Sequence, residues 1–166
     1  MMPRPRCSAL EKAMRLLAVS ARTGYELREK LLKSGYSPTE ADGAVSECCR
    51  RGYVNDELYA SDFTACSIDR GSGIRKVRQK LLKKGLDREL VEQTLEENRE
   101  REPESARMVL AGKWRNLSRE TDPYKKRAKA FRFLVGRGFS AGLAAELVRE
   151  ISSGDGSPGE DPGFPD

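Results

Sequence analysis

Histidine is absent from this 166-residue sequence. With it go the Ser-His and Cys-His nucleophile pairs, the usual general base near neutral pH and the commonest metal ligand. Cysteine is scarce. Cys7, Cys48, Cys49 and Cys66 include no Cys-x-x-Cys pair, so zinc and dithiol redox sites lack their ligand set. Such thiols fit a reducing, cytosolic compartment. Aromatic residues make up only 7%, which argues against a large β core. No apolar run approaches membrane-spanning length and the first residues lack a signal-peptide core, so a soluble cytoplasmic protein with no membrane partner is expected. Carboxylates are plentiful, but no glycine-rich loop or apolar pocket signature surrounds them. A non-enzymatic protein with no catalytic residues, no metal and no cofactor is expected.

What the sequence does hold is charge, 34% of residues, with 31 Lys and Arg against 26 Asp and Glu. The segment Ser152–Asp166 carries Asp155, Glu160, Asp161 and Asp166 and no base, which leaves 31 bases against 22 acids in the rest. A basic body implies an anionic partner, either nucleic acid or an acidic protein surface.

Three segments read alike. They are Tyr25-Glu-Leu-Arg-Glu-Lys-Leu-Leu-Lys-Ser-Gly-Tyr-Ser37, Lys76-Val-Arg-Gln-Lys-Leu-Leu-Lys-Lys-Gly-Leu-Asp87 and Lys129-Ala-Phe-Arg-Phe-Leu-Val-Gly-Arg-Gly-Phe-Ser140. Aligned on Gly35, Gly85 and Gly138, they superpose Leu31, Leu81 and Leu134, then Tyr36, Leu86 and Phe139, then Ser37, Asp87 and Ser140. Each glycine can end a helix in the left-handed conformation, and the apolar residue after it can pack back onto the leucine. Ser37, Asp87 and Ser140 then cap the next helix, Ser37-Pro38-Thr39-Glu40 as a full capping box. Gly52-Tyr53 repeats the stop, with Cys48 as the partner. Apolar residues at i, i+3, i+4, i+7 (Leu10, Ala13, Met14, Leu17; Ala41, Ala44, Val45, Cys48; Ala144, Leu147, Val148, Ile151) supply further helices, and Tyr59, Phe63, Cys66 and Leu110, Trp114, Leu117 make sparser stripes. The expected fold is all-α, an elongated array of three tandem three-helix repeats at 8–54, 55–98 and 103–151. A flexible basic N-terminus (1–7) and a disordered acidic tail (152–166) flank it, and Glu96–Glu104 reads as a helix extension or a hinge. Bundles this small are expected to share stability with their neighbours.

Charge is unevenly placed within the repeats. Arg70 to Lys84 holds Arg70, Arg75, Lys76, Arg78, Lys80, Lys83 and Lys84 without an acid. Tyr124 to Arg137 holds Lys125, Lys126, Arg127, Lys129, Arg132 and Arg137, again without an acid. In the first repeat Arg22, Arg28, Lys30 and Lys33 accompany Glu26 and Glu29. Asp87 to Glu102 reverses the bias, with seven acids and three bases. Like-charge crowding on a helix is unfavourable, so an external anion is the expected reason for it. The competing reading is that these bases neutralise the acidic third helices, with Lys83 and Lys84 also suiting their own helix dipole. Basic stripes do not distinguish phosphate from acidic side chains. The turn Gly71-Ser72-Gly73 before a basic helix reads as an anion-accessible helix start, and Trp114 reads as core.

Gly52-Tyr-Val-Asn-Asp-Glu-Leu-Tyr-Ala60, Gly73-Ile-Arg-Lys-Val-Arg-Gln-Lys-Leu-Leu-Lys-Lys-Gly-Leu86 and Tyr25-Glu-Leu-Arg-Glu-Lys-Leu31 resemble the RecX family over about Ala9 to Ile151. The resemblance implies a monomeric modular array lying along the groove of the RecA filament on single-stranded DNA. It also implies inhibition of recombinase activity, ATP hydrolysis and filament growth. The filament-binding or DNA-binding candidates are then Arg22, Arg28, Lys33, Arg70, Arg75, Lys76, Arg78, Lys80, Lys83, Lys84, Lys125, Lys126, Arg127, Lys129 and Arg132. Weak direct DNA binding accompanies that expectation. An independent DNA-binding helical protein, with units used like helix-turn-helix modules, is the alternative; a helical scaffold for another acidic protein is a third. In the Gly52–Asp56 element, Tyr53 and Val54 are expected to plug the seam between units and Asp56 to cap the next helix.

Overall fold

The computed structural model of the protein describes residues 7–154 and is all-α, with no strand among them. Its helices are α1 (Ala9–Val19), α2 (Gly24–Lys33), α3 (Pro38–Arg50), α4 (Asp56–Asp69), α5 (Ile74–Lys83), α6 (Arg88–Glu97), α7 (Glu102–Asn116), α8 (Pro123–Gly136) and α9 (Ala141–Gly154). Most of the expected basic N-terminus and acidic tail, residues 1–6 and 155–166, lies outside the described residues. At the edges of those segments the chain is held. Cys7 is hydrogen-bonded to Tyr36, and α9 continues past Ile151 to Gly154, with the Ser152 and Ser153 hydroxyls donating to the Arg149 carbonyl. Between α6 and α7 a single 3-10 turn, Arg99–Arg101, replaces the expected extension or hinge, and Pro103 then sits in the first turn of α7, where its missing amide is harmless.

The helix ends follow the glycines. Gly35, Gly85 and Gly138 take φ of +90°, +74° and +94°. In each case the glycine amide bonds the carbonyl three residues back and the next amide bonds the leucine carbonyl: Tyr36 to Leu31, Leu86 to Leu81 and Phe139 to Leu134. That pair of hydrogen bonds satisfies carbonyls the helix leaves open. It also draws Tyr36, Leu86 and Phe139 into the interior beside fully buried Leu31, Leu81 and Leu134. Ser37, Asp87 and Ser140 cap α3, α6 and α9 through the amides of Glu40, Glu89 and Leu143. Ser8 and Thr23 add two capping boxes, with Glu11 and Glu26.

The chain divides into two compact units that cut through the middle repeat. The first holds α1–α3, the start of α4 as far as Phe63, and Lys80–Thr94. Its core gathers Leu27, Leu31, Tyr36, Cys48 and Val54 around Ala13, Ala41 and Ala44. Alanines at these positions let α1 and α3 approach closely, and each buried leucine contributes roughly 1.5–3 kcal/mol. Among the described residues the second unit holds Thr64–Gln79 and the chain from Leu95 to Gly154. Its core gathers Leu110, Ala130, Leu134, Phe139, Leu147 and Val148, with Trp114 packed at its edge.

In the first unit the Tyr36 hydroxyl donates to the Cys7 carbonyl at 2.8 Å, next to the cap that starts α1. The Tyr36 phenol is pushed up to about 12, first by its hydrogen bond with the Cys7 thiol, 3.4 Å away, and then by burial. A raised pKa means that this stabilisation is complete below the ordinary phenol value of about 10 and is lost as pH climbs through 12. Spectrophotometric titration is therefore expected to show a phenolate step near pH 12 that Tyr36→Phe removes. Its persistence in Tyr36→Phe would assign the step elsewhere.

Candidate functional site

The sequence-predicted bases divide into three groups in the structure. The first group is tied to this chain's own acids. Arg28 Nε lies 2.6 Å from Asp42, Lys129 pairs with Glu120, and Lys125 Nζ lies 3.9 Å from Asp122. Asp42 raises the Arg28 pKa, first through its hydrogen bond and then through its charge. Lys129 pulls Glu120 down by its hydrogen bond, so that carboxylate stays ionised. Lys84 is the most enclosed of this group. Its ammonium donates to Glu26 Oε1 at 2.7 Å and lies over Tyr59 and Phe63, 5.3 and 5.7 Å from the ring centroids. Burial opposes the Lys84 charge, but the hydrogen bonds with Glu26 and Tyr59 outweigh it and its pKa is raised.

The second group is folded against the surface. Arg22 and Arg127 are half-buried, and each has an Nε enclosed without a hydrogen-bond partner. Lys126 lies over the Trp114 ring at 4.2 Å, while Lys76 packs on Gly138 and Arg78 is half-buried. The third group stands in solvent. Lys33, Arg70, Arg75, Lys80, Lys83 and Arg132 are exposed, and among the described residues none of these six side chains forms an ion pair. Three of them belong to α5. Ile74, Val77 and Leu81 are its buried face, so Arg75, Lys80 and Lys83 are left, with Gln79, on the outward one.

Two joints fix how α5 is presented, one in each compact unit. In the first unit the end of α5 meets the start of α2. Fully buried Thr23 donates its hydroxyl to the Lys84 carbonyl at 2.6 Å while its oxygen caps Glu26. Gly85 lies against Tyr25, so closely that a Cβ there would fall 2.1 Å from the ring. In the second unit the end of α8 meets the start of α5. The Gly73 amide donates to the Arg137 carbonyl at 2.9 Å and the Arg75 amide to the Gly138 carbonyl at 3.2 Å. The Ile74 amide donates to Glu102 Oε1 at 2.8 Å. In the repeat alignment Lys84-Gly85 matches Arg137-Gly138, and Thr23 matches Gly73. The same joint is therefore made twice, by a glycine that also ends its own helix.

These joints correct three expectations. The start of α5 is no anion site, because Arg137, Gly138 and Glu102 already take its amides. Asp56 does not cap α4: Asn55 Oδ1 accepts the Leu58 amide, and Asp56 Oδ1 accepts the Gly24 amide at 3.0 Å. Val54 is core, whereas Tyr53 is 52% exposed and plugs nothing. One structural cation escaped the list of candidates. Arg137 Nη1 donates to the Arg70 and Gly71 carbonyls, and its guanidinium lies over Phe133. Its place beside the repeat's glycine is the signal that marks it, since Lys84 occupies the same position and is also a clamp.

No group of three or more Cys, Asp and Glu side chains able to hold a metal occurs among the described residues, and no described helix is long and apolar enough to cross a membrane. Fold and surface together define an all-α protein of three successive three-helix domains that carries basic helical faces. Family profiles described as the first, second and third three-helix domains of RecX match residues 9–48, 55–95 and 100–148. A regulatory protein RecX of Legionella pneumophila (strain Corby) is 30% identical over 146 residues, 87% of this chain and 95% of that protein. One from Deinococcus radiodurans is 35% identical over 144 residues, 86% of this chain and 68% of that protein. The crystal structure of RecX from Lactobacillus salivarius has the same fold, with a TM-score of 0.76 at 19% identity over 87% of this chain and 95% of that one. The chain belongs to the RecX family.

Proposed function

We propose that this protein acts in the cytoplasm as a monomeric, non-catalytic regulator of DNA repair and recombination. It binds the RecA filament on single-stranded DNA and inhibits strand exchange, ATP hydrolysis and filament growth. The observation that carries this reading is the outward face of α5, where Arg75, Lys80 and Lys83 stand exposed with no ion pair among the described residues, in a chain whose relatives are named regulatory proteins. Such a face suits a polyanionic groove, since each exposed cation gains more from a concentrated anion than from water and mobile salt. Arg70 and Arg132 extend the same chemistry in the second unit and Lys33 in the first.

The test is DNA-dependent ATP hydrolysis by the cognate RecA, with this protein at equal to modest excess concentration. Strong suppression is expected, weakening as salt rises. Unchanged hydrolysis at tenfold excess sinks the reading. Titration of single-stranded DNA alone separates the filament from bare DNA: affinity as tight without RecA as with it points to an independent DNA-binding protein.

A further inference from the structure

In the first compact unit the start of α4 carries an apolar surface that the core does not use. Tyr53 and Leu58 are 52% and 58% exposed. The stretch from Gly52 to Phe63 holds Asp56, Glu57 and Asp62 and no base. Asp56 accepts the Gly24 amide. Glu57 and Asp62 are exposed, and among the described residues neither forms an ion pair. Residues four apart on a helix are neighbours, so Leu58 stands among Glu57, Ser61 and Asp62 on one outward arc. Arg50 and Arg51, the nearest bases before this stretch in the chain, are both engaged by Glu47.

An apolar face with unpaired carboxylates repels phosphate and fits a basic face that carries an apolar side chain of its own. The same compact unit provides one. Lys80 and Lys83 of α5 are exposed without an ion pair among the described residues, and Leu82 beside them is 40% exposed. No ion pair joins these lysines to Glu57 or Asp62 within the chain, so both faces are open to another molecule. We propose that the α4 face of one copy docks on the α5 face of a second copy, with Tyr53 and Leu58 against Leu82 and with Glu57 and Asp62 against Lys80 and Lys83. The two faces differ, so the contact is head-to-tail, and each added copy leaves one face of either kind open. The contact is weak, because exposed ion pairs contribute little and few apolar side chains are covered. A polyanion competes for Lys80 and Lys83. The monomer is thus the form that meets the filament, and the assembly is the state of the concentrated, unengaged protein.

Analytical ultracentrifugation of the full chain at low salt, from micromolar to millimolar protein, tests the contact. The weight-average mass is expected to rise with concentration and to fall back toward that of one chain as salt is raised. Two full-length variants are compared with it, Glu57→Lys with Asp62→Lys, and Lys80→Glu with Lys83→Glu. Each is expected to weaken association on the order of tenfold, because two attractions become repulsions. Mixed in equal amounts, the two variants are expected to associate again, since each then offers the sign of charge that the other lacks. A folding defect in either variant does not produce that rescue. A mass that stays at one chain throughout at low salt overturns the proposal. So does association that survives the reversal at Glu57 and Asp62, which assigns it to another surface, and so does a mixture that stays monomeric. Neither DNA nor a recombinase is present, so the outcome is independent of the regulatory reading.

Discussion

Alanine at Gly73 is expected to destabilise the protein by about 3 kcal/mol or more, beyond the usual range for one added methyl group. The added Cβ would lie 2.2 Å from the Gly138 carbonyl carbon, 2.3 Å from the Phe139 nitrogen and 2.4 Å from the Gly138 oxygen. All three are main-chain atoms, so no rotamer relieves the clash. Retreat of the backbone breaks the bonds from Gly73 to Arg137 and from Arg75 to Gly138. Gly73 is not among the glycines with positive φ, so the whole effect is steric. Gly112, within α7 of the same unit, has nothing within 4 Å of its position for a Cβ. There alanine is expected to stabilise by about 0.5–1 kcal/mol, as it does in helix interiors. Urea unfolding checks both. The midpoint is expected to fall by about 1–3 M for Gly73→Ala and to rise slightly for Gly112→Ala. A Gly73→Ala midpoint equal to that of the unmodified chain removes the joint from the account of stability.

The contrast between those glycines shows what was legible in the sequence. Gly35, Gly85 and Gly138 announce helix ends because the left-handed turn and its two hydrogen bonds involve only neighbours in the chain. Ser37, Asp87 and Ser140 follow for the same reason. Local chemistry of that kind carried the all-α reading and the three-helix repeat. The contacts of Gly73 depend on residues more than sixty positions away, and nothing near it in the chain encodes them. The failure at Asp56 has the same origin: two side chains stand at the start of α4, and the distant Gly24 amide decides which of them caps. Charge was half legible. Acid-free stretches did mark basic helices, but spacing could not separate Lys83, which stands in solvent, from Lys84, which is bound to Glu26 across 58 residues. Periodicity alone places Lys84 near the edge of the buried face of α5, and it takes Glu26 of α2 together with Tyr59 and Phe63 of α4 to enclose that edge.

That separation gives the second large expected effect. The triple variant Arg75→Glu, Lys80→Glu, Lys83→Glu is expected to raise the concentration needed for half-maximal inhibition of RecA ATP hydrolysis on the order of 100-fold at low salt. Each exposed pair contributes about 0.2–1 kcal/mol, and reversal replaces attraction by a similar repulsion, so three reversals total roughly 1–6 kcal/mol. A hundredfold change corresponds to about 2.8 kcal/mol, within that span. Exposed substitutions away from caps and cores typically change stability by no more than about 0.5 kcal/mol each, so the folded fraction is expected to hold. Lys84→Gln is the opposite case. It leaves Glu26 half-buried without its partner and is expected to lower stability by about 1–3 kcal/mol, with inhibition by the folded fraction unchanged. The salt dependence then identifies the anion. If the α5 face meets phosphates of the single strand, the slope of log affinity against log salt is expected to flatten by about 0.7 for each contact removed, about 2 for the triple variant. If it meets carboxylates of a protein, no condensed counterions are released and the flattening is much smaller. Inhibition unaltered by the triple reversal would show that the outward face of α5 is only a solvated surface and would leave the regulatory contacts to the other exposed bases.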